Sequence, residues 1–77
     1  MAKRERDGWM VEKDTAGEFR ISGPSSGVEW ASACATRYGT VIVDTCRAKL
    51  PPARAAQFAA KVAAIAAKAA KEAKDGR

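Results

Sequence analysis

A chain of 77 residues has room for one domain and one small core. Alanine supplies much of its 47% apolar content, and histidine is absent, which removes the usual proton shuttle of neutral-pH catalysis and leaves two cysteines without a partner for a zinc site. The net charge of +5 is uneven: residues 8–46 sum to −2 and residues 47–77 to +6, so the basic character collects toward the C-terminus.

Residues 1–7 are charged and poor in apolar side chains, so they read as a flexible tail ahead of one small domain over 8–75. The segment is not a signal peptide, because no apolar stretch follows its charges. Residues 9–14 then read as a strand, and residues 18–22 as a second, with Phe19 and Ile21 alternating against Glu18 and Arg20. Between them, Asp14, Thr15, Ala16 and Gly17 have the chemistry of a tight turn. Phe19 and Ile21 are expected in the core beside Trp9 and Val11.

Residues 23–27 form a connector of Gly, Pro and Ser without the lysine or the glycine spacing of a phosphate loop. Residues 28–38 read equally as strand or helix. As a strand they put Val28, Trp30, Ser32, Cys34, Thr36 and Tyr38 on one face and alanines largely on the other. As a helix they offer a capping box over residues 26–29 and Gly39 as the terminator. Alanine favours the helix; the clean two-residue period favours the strand. Residues 40–46 are β-branched almost throughout. Their unbroken triplet Val41, Ile42, Val43 suggests a central strand buried on both faces.

Residues 51–74 form a long helix. Pro51 and Pro52 suit a first turn, alanine dominates the interior, and Gly76 follows as a stop. Such a rod is about 36 Å long, so its far end is expected to overhang the body. Spacings of three and four residues give it three rows. Phe58, Val62, Ile65 and Ala69 are the core row. Ala59, Ala63, Ala66, Ala70 and Ala73 are a row of alanine alone. Arg54, Gln57, Lys61, Ala64, Lys68 and Lys71 are mostly basic. The fold class is thus α+β: a small antiparallel sheet, made of the N-terminal hairpin and the central strand 40–46, packed by one C-terminal helix.

The sequence carries no catalytic constellation, no metal-ligand set and no cofactor motif, so a non-enzymatic binding protein is expected. Arg47, Lys49, Arg54, Lys61, Lys68, Lys71 and Lys74 are the candidate contacts to nucleic acid or another acidic surface. Four lysine or arginine contacts to duplex phosphates would give a salt slope of about −3.6. The alternative is a protein-binding module of regulatory or phage accessory type. It would pair through Ala59, Ala63, Ala66 and Ala70, with homodimerisation as one form. Trp9, Trp30 and Tyr38 would stack bases if displayed, and otherwise fill the core. No membrane partner is expected, since the apolar row is short and lacks an interfacial Trp. Reduced thiols and the absence of a leader fit the cytoplasm. The richness in Ala, Arg and Gly and the lack of Asn suggest a high-GC bacterium or phage.

Overall fold

The computed structural model describes residues 2–4, 8–23 and 29–75, with residues 2–4 described by their backbone alone. Its elements are β1 (Ala2–Arg4), β2 (Met10–Lys13), β3 (Phe19–Ser22), β4 (Trp30–Ala35), β5 (Val41–Thr45) and α1 (Pro52–Asp75). The strands form one five-stranded antiparallel sheet in sequence order, and α1 packs on one face of it. The α+β class expected from the sequence is the class observed. Part of the expected flexible tail is an edge strand: Ala2, Lys3 and Arg4 pair with Glu12, Val11 and Met10. The remainder of 1–7 lies outside the described residues.

The β2–β3 hairpin turns on Asp14. Its carboxylate Oδ1 accepts the N–H groups of Ala16 at 3.0 Å and Glu18 at 2.9 Å. Gly17 donates its N–H to the Asp14 carbonyl at 3.0 Å and sits at φ +87°, where a β-carbon is strained. This register sets Val11 opposite Ile21 and Lys13 opposite Phe19. The β4–β5 turn works similarly through Thr36. Its hydroxyl accepts the N–H groups of Tyr38 and Thr40, and Gly39 adopts φ +81°.

The ambiguous segment is a strand over Trp30–Ala35. The reason is the helix above it. Side chains alternate across a strand, so Ala31, Ala33 and Ala35 face α1, and Ala31 and Ala33 are fully buried there with Ile65 and Ala69 of α1. Small residues on both surfaces let the helix sit close to the sheet. The capping-box alternative would have spent Glu29 on a backbone N–H. Glu29 instead pairs with Arg54, and residues 26–28 of that motif lie outside the described residues.

The core is Trp9, Ile21, Ala31, Ala33, Ile65 and Ala69, with Val11, Phe19, Val41, Phe58 and Val62 packed around it. The Phe58 row of the helix therefore faces the sheet as its spacing implied. Two expectations fail. β5 is not central: it pairs with β4 alone, and Ile42 and Val43 are 51% and 44% exposed. The helix lies chiefly over β4 and reaches β3 and β5 on either side, and β5 is the last strand in the sheet order. Nor does the far end of the helix overhang. Glu72 in the last turns pairs with Lys13 at the end of β2, and Ala69 is fully buried.

Candidate functional site

The two halves of α1 do different work. In its first turns Arg54 Nη2 lies 2.9 Å from Glu29 Oε2. Glu29 is 4% exposed, although it is charged. The guanidinium also lies 5.7 Å from the centroid of the Trp9 ring. Trp9 is fully buried, stacks on Phe58 at 5.7 Å with an interplanar angle of 16°, and donates its indole N–H to Gln57 Oε1 at 3.1 Å. Of the row read from spacing as mostly basic, Arg54 thus turns toward the body, and Gln57, though exposed, caps the Trp9 indole. Arg54 carries its charge to a buried carboxylate. That role needs a partner from the far side of the chain, which helix spacing cannot reveal.

Gly23 belongs to the same cluster. Its N–H donates to the Glu29 carbonyl at 2.7 Å, closing the mouth of the connector. A β-carbon on Gly23 would sit 2.3 Å from Glu29 Oε1 and 2.9 Å from its carboxyl carbon. Gly23→Ala is therefore expected to push the carboxylate off Arg54 and to lower stability by about 1–3 kcal/mol, the range for a buried polar group losing its partner. A urea titration of the variant checks this. A midpoint equal to wild type would show that the carboxylate has room to move.

The second half of α1 presents Lys68, Lys71 and Lys74. All three are exposed, and none makes an ion pair among the described residues. They follow one another at three-residue steps, so they wind as a ridge across the outer helix surface. Around them Ala63, Ala64, Ala67 and Ala70 are exposed, and two acids share the last turns: Asp75 is exposed, while Glu72 pairs with Lys13. Lys61 is half-buried on the flank. Arg47 and Lys49 are exposed on the linker before the helix, separated from Lys68 by a stretch of helix about 24 Å long. The seven basic candidates thus divide into a linker pair, an internal Arg54, the flanking Lys61 and a C-terminal ridge of three.

Of the alanine row, Ala59, Ala63 and Ala70 are exposed, while Ala66 and Ala73 are half-buried against the body. The truly outward surface also includes Ala56, Ala60 and Ala67, which the row analysis did not single out. Spacing could have found them: residues 56, 60, 63, 67 and 70 alternate steps of four and three.

Of the aromatic residues considered as stacking platforms, Trp9 is core. Trp30 is 45% exposed on the sheet face away from the helix, and Tyr38 is 78% exposed in the β4–β5 turn with the Arg37 guanidinium 5.4 Å from its ring. Trp30 borders a shallow hollow of about 360 Å³ with Glu12, Arg20 and Ser22. Arg20 there is held by Glu18 at 3.2 Å and by Asp14 at 4.0 Å, so its charge is already committed. Among the described residues no three His, Cys, Asp or Glu side chains converge as metal ligands, and no helix is long and apolar enough to cross a membrane. The chain matches no protein-family model, no curated protein and no solved structure.

Proposed function

We propose that the chain is a non-enzymatic, cytoplasmic binding protein that associates with nucleic acid through phosphate contacts. The observation that carries this reading is the ridge of Lys68, Lys71 and Lys74. These are exposed cations that make no ion pair among the described residues, and the outer helix surface before them is alanine. Arg54 is set aside from the contact, because Glu29 already holds it. Lys49 and Arg47 extend the basic surface at the other end. Lysine reads charge and not base edges, so the binding is independent of sequence.

Three phosphate contacts give a slope of log K against log salt of about −2.7 on duplex DNA. The check is a fluorescence-anisotropy titration of a labelled duplex at several salt concentrations. Binding that weakens with this slope, and equally on unrelated sequences, supports the proposal. No binding at low salt, or binding indifferent to salt, sinks it.

A second reading rests on the exposed Ala59, Ala63 and Ala70. Methyl side chains let two helices approach closely, and this face would dock a helix of a partner protein or of a second copy. Ala63→Glu separates the readings: it abolishes helix pairing there and leaves the lysine ridge in place.

A further inference from the structure

We infer that β5 is an interface strand, and that its occupant is β5 of a second copy of this chain, paired antiparallel so that two five-stranded sheets join into one.

The first observation is a conflict between sequence and position. Val41, Ile42 and Val43 form the continuous apolar run typical of a strand covered on both faces. In the single chain this run is an edge, with Ile42 51% and Val43 44% exposed. A neighbouring strand would make it central and cover the flanks of these side chains.

The second observation is that the two sheet edges are built differently. β1 carries Lys3 and Arg4 in its three residues, and charge of that kind deters pairing. β5 has no lysine, no arginine, no proline and no bulge. Its one charge is Asp44, and it pairs with β4 without interruption from Val41 to Thr45. Its outer edge is thus open to another strand.

The third is a self-complementary register. Thr36 donates its N–H to the Thr40 carbonyl, and Cys46 donates its N–H to the Trp30 carbonyl. Residues 40 and 46 therefore turn their backbone groups toward β4. By the alternation of an antiparallel ladder, so do residues 42 and 44. Val41, Val43 and Thr45 turn theirs outward. A two-fold axis through Val43 then sets Val43 against Val43 of the second copy and Val41 against its Thr45, each pair exchanging both N–H···O bonds. The whole strand is matched. Asp44 falls opposite Ile42 of the second copy and not opposite another carboxylate. Such an axis runs perpendicular to the sheet, so both helices end on the same face. A short edge buries less than a standard interface, so association is reversible and grows with concentration.

The test is sedimentation equilibrium over a concentration series, combined with amide hydrogen exchange. Wild type is expected to rise from 8.2 kDa toward twice that mass, and the amides of Val41, Val43 and Thr45 are expected to gain protection as it does. Two variants break the pairing differently. Val43→Pro removes an outward N–H that no bond among the described residues uses, and Ile42→Lys places a charge on the exposed edge. Both are expected to stay at the monomer mass. The circular dichroism spectrum identifies a variant that remains folded, and a folded one of the two suffices. Ala63→Glu, on the outer helix surface, is expected to dimerise as wild type. A monomeric wild type at every concentration overturns the inference. So does a dimer that survives Ile42→Lys and Val43→Pro, or one that Ala63→Glu abolishes.

Discussion

Trp9→Ala is expected to leave the chain largely unfolded at room temperature. Trp9 and Ile65 are the largest fully buried side chains, and Trp9 ties the segment before β2 to the start of α1. Its ring stacks on Phe58, its N–H bonds Gln57, and the Arg54 guanidinium lies over its face. All three partners belong to the first turns of α1, while Trp9 itself precedes β2. Truncating a buried tryptophan costs about 3–5 kcal/mol. A domain of this size holds about 4–12 kcal/mol in total, and a core this thin belongs near the lower end. Far-UV circular dichroism with urea titration measures the outcome. Trp9→Phe keeps an aromatic stack and loses the hydrogen bond, so it is expected to fold with a lowered midpoint. An unchanged midpoint for Trp9→Ala would mean that the N-terminal half of the helix is held by other contacts.

Arg54→Ala is expected to destabilise by about 3 kcal/mol, because it leaves a buried carboxylate without its cation. Glu29 has few alternatives. Its Oε1 accepts no hydrogen bond among the described residues, and its side chain is 5% exposed. The Arg54 side chain is 27% exposed, so the loss falls chiefly on the acid. Removing both charges is a different matter. Glu29→Leu combined with Arg54→Met replaces the pair by apolar groups of similar bulk, and such replacements are often neutral. The expected double-mutant cycle is therefore strongly non-additive, with the double variant more stable than Arg54→Met alone. Additive losses in urea midpoints would show that the two side chains do not act as a pair.

The elements that were legible in the sequence are those with a local cause. The hairpin follows from alternation and from Asp14 and Gly17 at the turn. The helix follows from alanine content and the spacing of Phe58, Val62, Ile65 and Ala69. Residues 30–35 were not legible, because alanine alone argues for a helix. The deciding factor is the space a helix needs above Ala31 and Ala33, and that is a tertiary cause. The place of β5 was also hidden. A triplet of β-branched residues shows that a strand wants cover, but not which end of the sheet it occupies. Arg54 was half legible. It lies eleven residues before Ile65, which is about three turns, so spacing already sets it on the inward face. Nothing local points to Glu29 as its partner. The lysine ridge was readable as charge, and the structure separates its three exposed members from the cations held by the body.

The most direct measurement compares the salt dependence of duplex binding in three proteins. These are wild type, the combined Lys68→Gln, Lys71→Gln and Lys74→Gln variant, and the combined Glu29→Leu and Arg54→Met variant. The expected result is a slope of about −2.7 for wild type, a slope near zero with binding largely lost for the lysine variant, and wild-type behaviour for the protein without the internal pair. Equal binding by wild type and the lysine variant would contradict the assignment of the contact to the C-terminal ridge, as would loss of binding on removing the internal pair alone from a protein that remains folded.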